Sequence, residues 1–144
     1  MPERVCINNR QRRWKIDRRA LRALIERVLE EEGAPAGRTV EILFARDPLL
    51  AELNARYRGK SGPTDVLSFP ADPAGRPPEE PLPLGEVIVS IDRALAQAAE
   101  RGATPRREVA RLLVHGVLHL LGYEHEDPRA RARMRRREDR YLAS

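Results

Sequence analysis

The sequence predicts a single α/β (α+β) domain over residues 1–144, with a four-stranded mixed sheet and about five helices around a central metal-binding helix. Three observations lead to this expectation. A chain of 144 residues is the size of one ordinary domain and can bury a substantial core. Short apolar runs alternate with longer segments whose apolar residues recur at helical spacing. One of these segments, residues 105–121, is apolar on almost every side, as expected of a helix through the centre of a domain.

The first elements follow from alternation and capping signals. Residues 4–7 and 40–44 alternate apolar and polar side chains, which is typical of half-buried strands. Between them, Asp17 is placed to cap a helix whose apolar residues keep helical spacing until Gly33. We therefore expect a strand, a helix and a second strand in this part of the chain.

The middle of the chain predicts a helix, a strand and a long loop. An Asp-Pro pair at residues 47–48 starts the helix, since proline suits the first helical turn. A polar loop over residues 58–63 then leads into a short strand at residues 66–69. The segment 70–84 contains six prolines, so we expect neither a helix nor a strand there.

The last elements are a strand and three helices. Residues 86–91 form the predicted strand, and residues 92–101 the helix that follows it. Thr104 caps the central helix, which runs to residue 121 and is stopped by Gly122. An Asp-Pro pair at residues 127–128 starts a final helix, in which apolar residues share one face and arginines occupy the others.

Positive charge is concentrated at the two ends of the chain. The formal net charge is +5, with a balance of +5 over residues 1–20, +4 over residues 127–144 and −4 between them. Such ends fit a surface that attracts phosphate groups, but solvated helix faces would give the same pattern. Charge alone leaves these two interpretations open.

Several functional classes are excluded by what the sequence lacks. No apolar run approaches the roughly 18 residues that a membrane span needs. The basic residues near the start are not followed by the apolar stretch of a secretory signal, so we expect a cytoplasmic protein. A single cysteine, Cys6, excludes an internal disulfide and a multi-cysteine zinc site, and we expect it to be a small core residue.

All three histidines of the chain lie within eleven residues. His115 and His119 are four residues apart on the central helix, so they project from one face and can bind the same metal ion. Gly122 lets the chain leave the helix and turn back, so that His125 can approach as a third ligand. The spacing predicts one zinc ion per chain, although nickel or copper would also bind such a set.

Three imidazoles without a thiolate predict a catalytic rather than a structural zinc ion. Such a site keeps a fourth position open for water, whose pKa falls to about 7, and hydrolysis is the natural reaction. A carboxylate such as Glu124 in the fourth position would instead close the site and make it structural. Both alternatives are compatible with the spacing.

The spacing of the histidines also matches that of metzincin peptidases, in which a glutamate follows the first histidine and acts as the general base. Here that position is Gly116. The departure weighs against a peptidase, which is kept as an alternative together with a ribosome-associated RNA-binding protein that holds a structural zinc ion.

The chain resembles the YbeY family of bacterial rRNA maturation endoribonucleases. The segment VHGVLHLLGYEH at residues 114–125 resembles the family's histidine signature, and TDVLSFP at residues 64–70 matches its central motif. LGEVIVS and YRGK, at residues 84–90 and 57–60, resemble two further blocks, and Met134 and Glu138 stand where the family has those residues. Two positions depart from the family pattern, since aspartate is usual at Glu86 and Glu124.

The resemblance implies a zinc-dependent hydrolase that cuts single-stranded RNA internally. Family members act in 3′-end maturation of the small-subunit (16S) rRNA and in ribosome quality control, so single-stranded RNA and the small ribosomal subunit are the implied partners. No membrane and no small-molecule cofactor is expected. By the same resemblance, His115, His119 and His125 are the metal ligands and also catalytic residues. Arg58 would stabilise the charge on the phosphate, with a zinc-bound water or the RNA 2′-OH as the nucleophile.

Other polar residues have two open interpretations each. Asp65 either satisfies backbone donors at the start of a strand or orients a ligand histidine. Glu108 and Arg111, on the histidine face of the central helix, either line the cleft or form a solvated helix start.

Three further residues are candidates for a role at the site. Met134 either lies beneath the metal or packs in the core against Tyr141. Trp14 and Tyr57 are candidates for base stacking from exposed loops.

Overall fold

The computed structural model describes residues 4–124 and 126–143. This part of the chain forms four strands and five helices. The strands are β1 (Val5–Asn9), β2 (Val40–Ala45), β3 (Val66–Pro70) and β4 (Gly85–Ser90). The helices are α1 (Arg18–Glu31), α2 (Asp47–Arg58), α3 (Ile91–Arg101), α4 (Pro105–Leu120) and α5 (Pro128–Leu142). The predicted fold class is therefore confirmed.

The four strands form one mixed sheet in the order β1-β2-β4-β3. Strands β1, β2 and β4 are parallel, with Val40 paired to both Val5 and Gly85. Strand β3 runs antiparallel to β4 at the edge of the sheet, with Leu67 opposite Ile88. The two strands are joined by residues 71–84, which form neither a helix nor a strand, as the prolines predict.

The alternation of side chains along the strands separates two apolar cores. Val87 and Val89 of β4 face the main core, which also contains the apolar faces of α1, α4 and α5. Ile88 faces the other side, where it packs with Leu50 of α2 and Leu67 of β3. Helices α2 and α4 therefore lie on opposite faces of the sheet, and both contact β3.

Side-chain caps define where the helices begin. Asp17, Thr104 and Asp127 each accept a hydrogen bond from a backbone N–H in the first turn of the helix that follows. These three starts are confirmed. Ser90 caps α3 in the same way. Ile91 therefore begins a helix, whereas the sequence predicts it as the last residue of a strand. Arg58 likewise is the last residue of α2 and not the first residue of a loop.

Cys6 does not have its predicted environment. It lies in β1 but is exposed, because it alternates with the buried Val5 and Ile7. The expectation of a small core residue was therefore wrong. Within the described residues no helix is long and apolar enough to cross a membrane.

Candidate metal and RNA-cleavage site

Helix α4 presents two histidines on one face, as predicted. His115 is half-buried, with 26% of its side chain exposed, whereas His119, one turn further along, is exposed. The opposite side of the helix is held in the main core by residues such as Leu113 and Val117, both fully buried. The core therefore fixes the helix that carries both imidazoles.

Gly116 lies directly against the sheet. A Cβ atom at this position would lie 2.5 Å from Cγ1 of Val87 and 3.2 Å from both Oγ of Ser68 and Cγ2 of Val66. The Ser68 hydroxyl also donates a hydrogen bond of 3.0 Å to the carbonyl oxygen of Gly116. The residue after the first histidine therefore faces β3 and β4, and a glutamate side chain has no room there.

Glu138 of α5 orients His115. Its Oε2 lies 2.9 Å from Nδ1 of His115, and its side chain is only 10% exposed. A neutral imidazole that donates its Nδ1–H to a carboxylate keeps the lone pair on Nε2, which is the form that binds a metal ion. This hydrogen bond is therefore compatible with the predicted role of His115 as a metal ligand.

Arg111 and Glu108, one and two turns before His115, form a buried ion pair. Nε and Nη2 of Arg111 donate to the two carboxylate oxygens of Glu108 at 3.0 and 2.5 Å, and the Glu108 side chain is 1% exposed. The hydrogen bonds to Glu108 hold the pKa of Arg111 above its usual range. The interpretation as a solvated helix start was wrong, because the bidentate partner allows the carboxylate to be buried.

Asp65 has the simpler of its two predicted roles. Its Oδ1 accepts a hydrogen bond of 2.8 Å from the backbone N–H of Val66, and its Oδ2 accepts one of 3.1 Å from the amide of Gln97 in α3. The carboxylate that contacts His115 is that of Glu138. The sequence offered two signals for Glu138: its place in the family resemblance, and its position on the same face of α5 as the apolar Met134 and Tyr141.

A shallow cleft of about 230 Å³ opens beside His115. Met134 lies at this cleft and is also a buried member of the main core together with Tyr141. Its packing in the core with Tyr141 is therefore confirmed, and its position beneath a metal ion stays a prediction. The remaining lining residues are Arg111, Arg131, Arg135 and Glu138.

The loop after α4 is anchored by Tyr123. Gly122 has a φ of +104°, a backbone conformation that favours glycine, and it turns the chain out of the helix. The Tyr123 hydroxyl then donates a hydrogen bond of 2.7 Å to Glu32, the C-cap residue of α1, and accepts one of 3.2 Å from Arg137 of α5. Two residues later comes His125, the predicted third ligand, which lies outside the described residues.

Neither Glu124 nor Glu138 completes a metal site with the two described histidines. Glu124 is exposed, and among residues 4–124 and 126–143 no three histidine, cysteine or acidic side chains are close enough to hold one ion. The alternative of a carboxylate in the fourth position, which would make the site structural, therefore stays a prediction. The role of His125 stays a prediction.

Arg58 lies at the same end of the sheet as His119, on the opposite face. Tyr57 beside it contacts Phe69 of β3, with a ring-centroid distance of 5.5 Å. Phe69 and Pro70 pair with Glu86 and Gly85, and Leu120, next to His119, lies against Gly85. The edge strand β3 therefore separates the ends of the two helices that carry Arg58 and His119.

The two aromatic candidates have different surroundings. Tyr57 is 61% exposed and lies on α2 instead of a loop, with the guanidinium carbon of Arg56 at 5.7 Å from its ring centroid. Trp14 is half-buried and packs against the main core, so it is not an exposed platform.

Glu86, the other position that departs from the family pattern, faces away from the histidines. It lies on β4 opposite Glu41 of β2 and lines a cleft of about 870 Å³ on the α2 side of the sheet. Partial burial, together with the charge of Glu41, raises the pKa of its carboxyl group.

Comparisons with known proteins point to one family. The model of the endoribonuclease YbeY family matches residues 6–144. Among the similar proteins, the endoribonuclease YbeY of Chloroflexus aurantiacus is 48% identical over 128 residues, 83% of either chain. That of Pelotomaculum thermopropionicum is 43% identical over 145 residues, 96% of this chain and 94% of its own. The solution structure of TM1509 from Thermotoga maritima has a TM-score of 0.66 at 26% identity, covering 96% of this chain and 86% of that one.

Proposed function

This chain belongs to the endoribonuclease YbeY family, and from this premise we propose that it is a zinc-dependent endoribonuclease that cuts single-stranded RNA. The observation that carries the metal dependence is the pair His115 and His119 on one face of α4, with Nδ1 of His115 held by Glu138. His125 is the proposed third ligand. Zinc suits a set of neutral imidazoles, and one ion would be held per chain.

The residues present fit a catalytic ion. The hydrogen bond from Nδ1–H of His115 to Glu138 leaves Nε2 as the atom that would bind the metal, and Glu124 forms no three-ligand group with His115 and His119. When bound, zinc supplies Lewis-acid polarisation of the scissile phosphodiester. The cleft beside His115 then gives the phosphate a place between the imidazole and the guanidinium groups of Arg131 and Arg135.

A peptidase of the metzincin type is disfavoured by Gly116. The general base of such an enzyme would have to occupy a position that lies 2.5 Å from Val87 before any side chain beyond Cβ is added. Cleavage of a phosphodiester does not release an amine, so it needs no proton donor for an amine leaving group. Positively charged side chains can assist this cleavage because they stabilise the negative charge of the phosphate. The arginine-rich surroundings of His115 support the nuclease over the peptidase.

We propose that the RNA strand contacts both faces of the edge strand β3. Tyr57, next to Arg58, contacts Phe69, and Leu120, next to His119, lies against Gly85 opposite Pro70. A flexible single strand could therefore reach both faces at this end of β3, while a rigid duplex would have to bend around the sheet edge. Arg58 would grip two phosphate oxygens with its planar guanidinium group. The exposed ring of Tyr57 would stack on a base nearby.

The cellular substrate that we propose is the 3′ end of the small-subunit 16S rRNA, with a further role in ribosome quality control in the cytoplasm. The support is the family resemblance of the histidine and TDVLSFP segments. The small ribosomal subunit is accordingly the proposed partner.

The direct test is cleavage of a labelled single-stranded RNA by the zinc-loaded protein, by the protein stripped with a chelator, and by Arg58→Glu. We expect the loaded protein to cut and the stripped protein to regain cutting when zinc is restored. Arg58→Glu should bind zinc normally but cut RNA roughly 10-fold to 100-fold more slowly, because it loses a charged hydrogen bond to a phosphate on the α2 face of β3.

The matched control is Arg101→Glu. Arg101 ends α3 just as Arg58 ends α2, and each is followed by a glycine in the left-handed conformation. The two charge reversals therefore disturb a helix end equally. Equal cutting by the loaded, stripped and Arg58→Glu preparations would show that the activity is a contaminant.

A second prediction concerns the arginines on the outer face of α5. Arg133 and Arg136 are exposed and flank a cleft of about 350 Å³ with Arg137 and Arg140. If this face follows the RNA backbone, the double variant Arg133→Glu with Arg136→Glu should bind RNA more weakly. The slope of log K against log salt should flatten by about 1.4, since each phosphate contact on single-stranded RNA contributes about 0.7.

The control for this prediction reverses two charges elsewhere, at Arg76 and Arg101, both of which are exposed. It should leave the slope within error of the wild type. Fluorescence anisotropy of a labelled oligonucleotide, titrated at several salt concentrations, measures both. If both double variants change the slope equally, only the net charge attracts RNA and the face of α5 has no special role.

A further inference from the structure

A continuous chain of polar side chains leads from His115 through three other elements. Glu138 of α5 contacts the imidazole with Oε2, and its Oε1 lies 3.8 Å from Nη1 of Arg111 on α4. Arg111 donates to the amide oxygen of Gln97 on α3 at 3.4 Å, and the amide nitrogen of Gln97 donates to Asp65 at 3.1 Å. The imidazole is thus connected to the segment that precedes β3.

The guanidinium group of Arg111 is the fixed point of this chain. Both oxygens of Glu108 accept its hydrogen bonds, and because the Glu108 side chain is 1% exposed, the carboxylate cannot exchange this partner for water. The hydrogen bond to Gln97 and the two hydrogen bonds to Glu108 restrict the orientation of the guanidinium plane from two sides. Its third nitrogen is directed at Glu138.

The carboxylate of Glu138 therefore has one oxygen for each neighbour. Oε1 faces the cation of Arg111, and Oε2 faces Nδ1 of His115. Without the cation, the carboxylate could rotate about its terminal torsion, which is broad in glutamate, and its hold on the Nδ1–H form of the imidazole would weaken.

We propose that Arg111 is a positioning residue, which fixes Glu138 and through it the Nδ1–H tautomer of His115, with Gln97 and Asp65 supporting the guanidinium group from the far side. Its importance for catalysis rests on the proposed function, since the tautomer matters there because Nε2 must bind the metal. The tautomer itself can be measured in the metal-free protein.

The test compares the wild type with the double variant Arg111→Met, Glu108→Gln. Methionine keeps an unbranched, partly apolar side chain, and glutamine avoids leaving a buried carboxylate without its partner. Ring ¹⁵N shifts of His115, measured without metal at about pH 8 where free imidazole is neutral, should show the Nδ1–H tautomer in the wild type and a mixture in the variant. Zinc affinity, from competition with a chromophoric chelator, should fall by about 10-fold to 100-fold.

The matched control is Arg107→Met. Arg107 also ties α4 to α5, through a hydrogen bond of 3.0 Å to the carbonyl oxygen of Leu142, which lies one helical turn beyond Glu138. It should leave the tautomer and the zinc affinity unchanged, even if the melting temperature falls. Arg111→Lys, which restores a cation without the planar fork, should recover part of the tautomer preference.

The outcomes are separable. If the double variant keeps the wild-type tautomer and zinc affinity, Arg111 has only a structural role and the inference is wrong. If the wild type binds no zinc, the proposed function fails, whereas the ring ¹⁵N shifts still decide whether Arg111 positions His115.

Discussion

Gly116→Ala is expected to destabilise the protein by about 2–3 kcal/mol, since overpacking a filled core costs this much. At this chain length the melting temperature should fall by about 6–12 °C. The added Cβ would lie 2.5 Å from Val87, which is fully buried and cannot move aside. In an open helix the same substitution stabilises by about 1 kcal/mol, so the sign of the change is itself diagnostic. Thermal and urea denaturation of the metal-free protein measure it.

The control for Gly116→Ala is a double-mutant cycle with Val87→Ala. Removing the two γ-methyl groups of Val87 opens the space that the new Cβ needs, so the double variant should lose less stability than the sum of the two single changes. If Gly116→Ala is more stable than the wild type, or if the stability changes of the two single variants simply add in the double variant, then α4 is not packed tightly against the sheet. Gly116→Glu, which completes the peptidase motif, should be at least as destabilised and should not cut peptides.

His119→Ala is expected to abolish RNA cleavage while leaving the fold intact. His119 is exposed, so the free energy of unfolding of the metal-free protein should change by less than about 0.5 kcal/mol. Zinc affinity should fall by at least about 100-fold, because a four-ligand zinc site is worth on the order of 10–16 kcal/mol and one ligand is a substantial share. Calorimetric titration, chemical denaturation and the RNA assay give the three quantities.

Glu124→Ala is the companion variant for His119→Ala. Glu124 is also exposed and forms no three-ligand group with His115 and His119, so its removal should leave the zinc affinity unchanged. A loss equal to that of His119→Ala would make the carboxylate a ligand and favour a structural metal ion. A His119→Ala protein that binds zinc and cuts RNA normally would end the proposal for this site.

Local signals predicted most of the fold because they act over a few residues. The capping side chains of Asp17, Thr104 and Asp127 each bind a backbone N–H three residues later, a relation that is visible in the sequence. The boundary at Ser90 was missed because a serine between apolar residues fits both the end of a strand and a helix cap. Cys6 was assigned to the core on residue type alone, while strand alternation places it outside.

The site was predictable only where its residues share one element. The spacing of His115 and His119 gives their common face directly, since both lie on α4. The contact between His115 and Glu138 depends on how α5 lies against α4, and no spacing within either helix contains this information. Glu108 and Arg111 share α4 at a spacing of three residues, so their pairing could be predicted, whereas the burial of Glu108 depends on the elements packed around the helix.

The long connection between β3 and β4 leaves the alignment of these strands to their side chains. A two-residue hairpin would set the pairing register by its turn geometry, but the fourteen residues 71–84 are too long to do so. A slip of one residue would turn Leu67 out of the smaller core and move the Ser68 hydroxyl away from Gly116. The TDVLSFP segment therefore encodes alignment as well as chemistry, because apolar contacts on one face and a hydrogen bond on the other select a single register for the strand beside the histidines.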